Sequence, residues 1–271
     1  MKRTLLLFLA LIVLACCSKD ESPAPAPVPV GGVISLRSEG ALENEPAAKA
    51  ATRAGNAALT YTFEAWTRDA SPRRVLHKTA TGTLTEAAIE IMLVPGDYDF
   101  LFWADYGNGA YTTDYLRQIK IAMTSGSTPA TYTPGSKRDA FACVLLDVQW
   151  NGGNGVSATL KRPVAKLTMQ NKAAFSTGDK AVSVTYRNVP TQYDVLTEKT
   201  SELQTITVAF PNTTVNSATV GEDFLFVPSN AGQFVGLSIT VGNATKQLDA
   251  LELQRNYTTR ITATFEEAAG N

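Results

Sequence analysis

The chain has 271 residues, 44% of them hydrophobic, and its 24 Lys and Arg against 25 Asp and Glu give a formal net charge of −1. A nearly neutral chain offers no broad basic field, so the charge excludes partners such as nucleic acid or an anionic membrane surface that are held by electrostatics alone. The length is too great for one ordinary β-sandwich and suits two sandwiches of about 100 to 130 residues each.

The N-terminus has the pattern of an export signal. Lys2 and Arg3 precede an unbroken apolar run over residues 5–15, and Cys16 and Cys17 follow directly. A membrane-spanning helix needs roughly 20 apolar residues, so this run is too short to cross a bilayer and is typical of a signal peptide.

The two cysteines are candidate lipidation sites. The tripeptides that precede Cys16 and Cys17 resemble the lipobox of bacterial lipoproteins, and residues 18–21, Ser-Lys-Asp-Glu, resemble the signal that directs Bacteroidetes lipoproteins to the cell surface. We expect a lipoprotein signal peptide over residues 1–16 and a lipid on Cys17, with Cys16 as the alternative. Cys143 is then the one cysteine left for the folded part, so no intramolecular disulfide and no cysteine metal cluster can form there.

Residues 17–31 are predicted to form a tether. Proline alternates with small residues over 22–29. Such a run cannot form a helix or join a ladder, and it favours an extended polyproline conformation. The tether would hold the folded part away from the membrane.

A short β-branched segment over residues 33–36 is predicted to be the first strand. A polar, alanine-rich stretch follows over residues 39–51 and ends in Thr52, Arg53 and Ala54. An arginine among small residues beside glycine and asparagine is an accessible site for a trypsin-like protease. Any solvated loop contains an arginine, so the pattern by itself marks Arg53 and Ala54 only as a candidate cleavage site.

From residue 59 onward the chain reads as short strands divided by turn residues, with almost no amphipathic helix. This spacing predicts an all-β fold of sandwiches rather than a parallel α/β fold. Pro95 and Gly96 are predicted to turn one hairpin, and the glycine-rich residues 151–155 a second one. The predicted strands are residues 59–66, 88–94, 97–103, 116–123, 141–150, 156–160, 181–186, 203–210, 223–227, 234–241 and 257–265.

A weak internal repeat predicts two domains of one type. An apolar strand, a proline turn and a second apolar strand occur over residues 91–102 and again over 224–239. We place the boundary near residue 165, so that the N-terminal sandwich covers residues 32–165, including a removable first strand and a cleavage loop over 32–53. The C-terminal sandwich then covers residues 166–271.

No complete catalytic constellation is present in the sequence. The chain contains one histidine, His77, and no Gly-x-Ser-x-Gly elbow accompanies it. Zinc sites would need more His and Cys, and no phosphate-binding Gly-x-x-x-x-Gly-Lys motif occurs. We therefore predict that the protein is not an enzyme and that it uses no cofactor or metal.

Two groups of side chains leave alternatives open. The carboxylates of Asp97, Asp99, Asp105 and Asp114 are close in sequence and permit a calcium site or, less well, a glycosidase pair, although solvated carboxylates at a turn are ordinary. Four aromatic rings could stack on sugars, those of Trp103, Tyr106, Tyr111 and Tyr115. Packing is the commoner role of such rings.

Several short motifs together resemble the fimbrillin (FimA-type) proteins of Bacteroidales. These motifs are the lipobox, the short first strand, Thr52-Arg53-Ala54, residues 93–100 with their Pro-Gly-x-Tyr turn, residues 138–141 and residues 160–167. The Pro-Gly-x-Tyr turn is also similar to that of transthyretin-like sandwiches. The resemblance implies two tandem transthyretin-like β-sandwich domains after a lipoprotein signal peptide.

The resemblance also implies a mechanism. In fimbrillins an arginine-specific protease removes the first strand with its lipid, and the exposed groove accepts a strand from the next subunit. On this chain the removed strand corresponds to residues 33–36, the cleaved bond to Arg53–Ala54, and the donor strand to residues 257–265. The partners implied are other fimbrial subunits, the outer membrane through the lipid, and a host or glycan ligand.

The chain also departs from a shaft subunit of that family. It is short, and few residues follow the last predicted strand, which favours a minor, tip or anchor subunit. The competing interpretation is a surface glycan-binding lipoprotein that uses the aromatic residues named above.

Overall fold

The structure is a computed structural model that describes residues 26–44, 58–175, 180–211, 217–228 and 233–264. Within these ranges it is built from strands joined by turns, with two short 3₁₀ helices at Leu116–Gln118 and Ser136–Arg138. No helix of the described residues is long and apolar enough to cross a membrane. The predicted all-β fold is confirmed.

The strands follow from side chains that alternate between a buried and an exposed face. In β4, Ala87–Leu93, buried and exposed residues alternate from the first residue to the last, as a strand with one face on a core requires. The first nine strands are β1 (Val30–Ser38), β2 (Leu59–Thr67), β3 (Arg74–Gly82), β4, β5 (Gly96–Asp105), β6 (Tyr111–Thr112), β7 (Ile119–Ile121), β8 (Ala140–Trp150) and β9 (Gly153–Leu160). The next seven are β10 (Val164–Phe175), β11 (Val182–Asp194), β12 (Lys199–Phe210), β13 (Ser217–Phe226), β14 (Gln233–Val241), β15 (Ala244–Leu253) and β16 (Thr258–Ala263).

Two sets of strands have the same topology. In the N-terminal set a three-stranded sheet, β4-β1-β9, accompanies a four-stranded sheet, β3-β2-β5-β8. In the C-terminal set the corresponding sheets are β13-β10-β16 and β12-β11-β14-β15. In each set the first strand is antiparallel to one neighbour and parallel to the other. The internal repeat in the sequence therefore corresponds to a repeat in strand order.

The segment between β5 and β8 joins the two sets. Its strands β6 and β7 pair with each other, and β7 pairs with β11 through Ile119 and Lys120. The hairpin thus extends a sheet of the C-terminal set, although it belongs by sequence to the N-terminal half.

The buried side chains form two clusters, and strand β5 contributes to both of them. One buried cluster, which includes Phe63, Phe100 and Phe102, lies within the N-terminal set. A larger cluster contains Leu101 and Trp103 of β5 together with most buried residues of the C-terminal set. Because successive side chains of a strand point to opposite faces, β5 contributes to both clusters and is buried along most of its length.

The two predicted hairpins are wrong, although their strands form. Strand β4 pairs with β1 while β5 pairs with β2 and β8, so the turn at Pro95 and Gly96 crosses between sheets. The glycine-rich turn after β8 also crosses, because β9 pairs with β1. Predicted strand 116–123 is a 3₁₀ turn followed by the short strand β7.

Candidate functional site: the first strand and its groove

The lipidation and cleavage residues lie outside the described part of the chain. Cys16 and Cys17 precede residue 26, and Arg53 and Ala54 fall between residues 44 and 58. Their roles stay predictions. The structure does place the strand that precedes the predicted cleavage bond.

The predicted first strand forms and is longer than the sequence pattern indicated. It covers Val30–Ser38 as β1. Seven of its residues pair with the antiparallel strand β4 and six with the parallel strand β9. An N-terminal strand is therefore the central strand of its sheet, and both of its backbone edges are paired.

One face of β1 belongs to the core. Ile34 is fully buried, Leu36 is 4% exposed, and both lie in the N-terminal cluster with Trp150. The Ser38 hydroxyl lies 3.1 Å from the Tyr61 hydroxyl. The alternate side chains face outward. The buried groove between β4 and β9 is therefore shaped for two apolar side chains at positions i and i+2 of an inserted strand.

Gly32 has a steric reason to be glycine. A Cβ built there would lie 2.1 Å from the carbonyl oxygen of Gly153 and 2.4 Å from Cη2 of Trp150. The close approach of the β1 backbone to β9 leaves no room for a side chain. At Gly31 the nearest atom to such a Cβ is 3.9 Å away, so the restriction is confined to one position.

The chain that follows β1 runs against Arg162, which lies between β9 and β10. Two nitrogens of this guanidinium, Nε and Nη2, donate to the Asp139 carboxylate at 2.8 to 3.0 Å. The guanidinium also donates to the backbone carbonyls of Glu39, Gly40 and Ala41 at 2.9 to 3.1 Å. Its side chain is 1% exposed, so the Asp139 carboxylate balances this buried charge and the remaining N–H groups donate mainly to the segment after β1.

Residues 39–44 also contact the strand predicted as the donor. That strand forms as β16, Thr258–Ala263, and pairs in parallel with β10 at the edge of its sheet. The Asn44 side chain donates to the Thr258 carbonyl and accepts from the Thr258 amide, both at 2.8 Å. The structure thus brings the end of the β1 segment and the start of β16 together.

His77 belongs to a structural ion cluster around Glu64. The Glu64 carboxylate is fully buried and accepts from the Trp66 indole at 2.9 Å and from Arg74 at 2.6 Å. His77 Nδ1 lies 3.2 Å from the same carboxylate. Among the described residues, the hydrogen-bond partners of His77 Nδ1 are Arg74 and Glu64, and neither is a hydroxyl or thiol nucleophile. The cluster therefore joins β2 to β3 and does not have the composition of a catalytic triad.

The acidic residues do not converge. Asp105 accepts from the Trp103 indole at 2.7 Å and from the Gly107 amide at 2.6 Å, and burial raises its pKa. Asp99 lies 3.3 Å from Arg68. Across the described ranges no group of three His, Cys, Asp or Glu residues is placed to hold a metal ion.

The aromatic residues separate into core and surface. Trp103 is fully buried, with its ring centroid 5.2 Å from that of Tyr111 and 6.3 Å from that of Phe226. The alternative that Trp103 and Tyr111 stack on sugars is therefore excluded, and the commoner role of such rings, packing in the core, is the one that they have. Tyr115 is 44% exposed and lines a cleft of about 560 Å³ between the two strand sets.

A second buried polar network was not predicted. The Asp223 carboxylate is fully buried and accepts from the hydroxyls of Tyr132 at 2.7 Å and Tyr186 at 3.1 Å. Arg138 Nε lies 3.3 Å from it. Burial raises the pKa of Asp223 and holds the pKa values of Tyr132 and Tyr186 well above their usual range. Because Arg138 and Tyr132 precede β8, the network fastens the inserted segment to the C-terminal set.

Two comparisons with known proteins used the amino-acid sequence. Residues 33–265 match a family of unknown function, DUF6562. A comparison with curated proteins finds no match.

Solved structures share the fold at low sequence identity. A candidate adhesin from Bacteroides ovatus is 11% identical, with a TM-score of 0.50 over 90% of this chain and 95% of that one. A candidate polysaccharide-binding protein (DUF1812) from Bacteroides thetaiotaomicron is 10% identical, with a TM-score of 0.53 over 79% and 78%. A candidate cell adhesion protein from Parabacteroides distasonis is 9% identical, with a TM-score of 0.51 over 91% and 96%. At these identities the likeness concerns the fold.

Proposed function

This chain belongs to the family of unknown function DUF6562, and we propose that it is a structural adhesion subunit of the fimbrial type at the cell surface. The observation that carries the proposal is the position of β1. A strand at the N-terminal side of the predicted cleavage bond is central in its sheet and fills part of the core. The folds shared with candidate adhesins support the same role.

Strand exchange follows from what removal of β1 would leave behind. Strands β4 and β9 would each present an unpaired backbone edge. The pockets of Ile34 and Leu36 would open, and burial of such a side chain is worth about 1.5 to 3 kcal/mol. A strand from a second subunit would satisfy both edges and refill the pockets. We propose β16 of a neighbouring subunit, with Ile261 as one inward side chain, as the donor.

The anchoring part of the proposal concerns the leader. A lipid on Cys17, or on Cys16, would hold the uncut protein in the outer membrane through the tether of residues 17–31. Cleavage at Arg53 would then free the polymerising part, whereas an anchor subunit would keep its lipid. Membrane fractionation of a variant with both cysteines replaced by alanine tests this, because the variant should become soluble, and a variant that stays with the detergent phase would refute lipidation.

A competition experiment tests strand exchange. The full chain is treated with limiting trypsin in the presence of excess synthetic peptide covering Val30–Ser38. We expect the peptide to refill the groove and keep the cut protein monomeric in size-exclusion chromatography. The matched control peptide carries Ile34→Glu and Leu36→Glu, and it should leave oligomerisation unchanged. Oligomers that form equally with either peptide would overturn the proposal, since the groove would then not be the joint.

Glycan binding is a second candidate function, favoured by the cleft at Tyr115. The guanidinium of Arg74 lies 4.1 Å from the centroid of this ring, and the ring remains 44% exposed. The rest of the cleft is lined mainly by amide, hydroxyl and charged side chains, including Gln192, Asp194 and Lys199. An aromatic ring surrounded by such groups is a common arrangement for a sugar.

A glycan array measures this second function directly. Binding should be lost in Tyr115→Ala and kept in Leu146→Ala, which removes an exposed apolar side chain of β8. Binding that survives Tyr115→Ala would place the glycan elsewhere, and no binding by the intact protein would remove this candidate.

A further inference from the structure

We propose that residues 39–44 are a latch that holds the start of β16, so that one cleavage event both opens the β1 groove and loosens the C-terminal strand. The inference rests on the proposed function, because it concerns how the acceptor groove and the donor strand become available together. It is carried by contacts between described residues that join the end of the β1 segment to the C-terminal sandwich.

The first set of contacts covers the outer edge of β16. The side-chain carboxamide of Asn44 makes two hydrogen bonds of 2.8 Å with the backbone of Thr258, one as donor and one as acceptor. The Glu43 amide donates to the Asn256 carbonyl at 2.9 Å, and the Asn256 side chain donates to the Glu43 carboxylate at 3.3 Å. These bonds imitate a short strand pairing, so residues 43 and 44 occupy backbone groups that a free edge would present.

The second set of contacts passes through one buried side chain. The same Nη1 of Arg162 that donates to the carbonyls of Glu39 and Ala41 also donates to the Asn256 side-chain oxygen at 3.0 Å. Removal of residues 39–41 would take away three acceptors from a guanidinium that is 1% exposed. The guanidinium would keep its ion pair with Asp139 and its bond to Asn256, but the buried N–H groups that lose their acceptors must move or admit water. Either response disturbs Asn256, two residues before β16 begins.

Few other contacts hold β16. Of its six residues only Ile261 is buried, at 6% exposed. Within the described ranges its one ladder is with β10. Asn256 has a backbone φ of 62° and donates its amide to the Val164 carbonyl at 3.0 Å. Loss of the latch therefore leaves a short edge strand held by one ladder, by Ile261 and the partly buried Ala263, and by a 3.1 Å hydrogen bond from the Thr259 hydroxyl to the Glu252 carbonyl.

The latch explains why an uncut subunit would stay inert. While residues 39–44 remain, the groove is filled by β1 and the start of β16 is covered. Both conditions end when the segment leaves, because β1 and the latch are consecutive in the chain. Release of the donor before the groove is open is thus avoided without a second signal.

Hydrogen–deuterium exchange of the uncut full chain tests the latch without requiring assembly. Asn44→Ala should speed exchange of the amides in residues 258–263 by about tenfold, since two hydrogen bonds are lost. Asn256→Gly, which keeps the left-handed backbone, should have the same effect. Exchange in β4 should not change in either variant, because β1 stays in place.

Arg37→Ala is the matched control, because Arg37 precedes the latch and bonds Thr159 instead. It should leave exchange in β16 unchanged. If the β16 amides exchange at the wild-type rate in both Asn44→Ala and Asn256→Gly, the latch is overturned, even if the cut protein still assembles. Faster exchange in β16 with cut protein that stays monomeric would instead uphold the latch and refute the proposed function.

Discussion

Replacement of Ile34 by alanine measures how strongly β1 is seated. The Ile34 side chain is fully buried, and its neighbours across the sheet are Ile89 of β4 and Val156 of β9. Truncation of a buried isoleucine costs about 2 to 5 kcal/mol, including the cavity that remains. A value near 3 kcal/mol is expected here, since both neighbouring strands are fixed by their own core residues and cannot collapse onto the vacated space.

Urea unfolding of the full chain gives the magnitude, followed by circular dichroism and by tryptophan fluorescence. Trp150 is 2% exposed and packs near Gly32, so its signal reports on the same sandwich. The matched control is Ser35→Ala, an exposed neighbour on the opposite face of β1. A loss in Ile34→Ala of less than about 0.5 kcal/mol, as for ordinary surface changes, would show that β1 is not part of the folding unit.

Three further predictions concern the packing at Gly32, the proton on Asp105 and the reactivity of Cys143. Gly32→Ala should lower the free energy of unfolding by about 1 to 3 kcal/mol through overpacking, whereas Gly31→Ala, measured by the same urea titration, should be nearly neutral. Burial raises the pKa of Asp105 above 3.8, so the folded state binds this proton more tightly than the unfolded chain does. The contribution of this proton to stability is complete below the unfolded pKa and is lost as the pH rises through the folded pKa. Urea titrations at increasing pH should therefore show the wild type losing stability relative to Asp105→Asn. A difference between the two proteins that does not change with pH would refute this. Burial raises the pKa of Cys143 to about 11, so its reaction with a disulfide reagent at pH 8 should be about a hundredfold slower in the native protein than in urea, and equal rates would contradict a buried thiol.

The strands could be predicted because each has a local signal, while their partners could not. The alternation in β4, the apolar run of β5 and the turn at Pro95 and Gly96 are all visible in the sequence. A turn of that kind serves a hairpin and a crossing between two sheets equally well. Which one forms depends on β1, whose paired residues in β4 lie more than 50 positions away in the chain, so no local signal reveals the pairing.

The first strand shows the same limit. Residues 33–36 gave the prediction because they are β-branched and apolar, but β1 begins at Val30 and includes two glycines. Glycine is disfavoured in strands, so the pattern does not include Gly32. The structure explains it by the contact with Gly153, which is distant in sequence.

The buried charges were beyond sequence reasoning for a physical reason. Arg162 draws on acceptors 121 to 123 residues away, at Glu39, Gly40 and Ala41. A charged residue between apolar strands is ordinarily assigned to the surface. The only signal was its place in the motif of residues 160–167, which marked the position without revealing its partners.

The molar mass of the protein after cleavage at Arg53 tests the central claim most directly. Limited trypsin digestion of the full chain, with the N-terminus of the product identified by mass spectrometry, should cut first at Arg53. Light scattering should then show oligomers that survive mild heating, because each vacated groove is refilled by a neighbour's strand. A Lys49→Gln, Arg53→Gln double variant, which removes both trypsin sites of this alanine-rich stretch, should stay monomeric under the same digestion. A wild-type product that begins at Ala54, has lost the β1 segment and remains a stable monomer would contradict assembly by strand exchange.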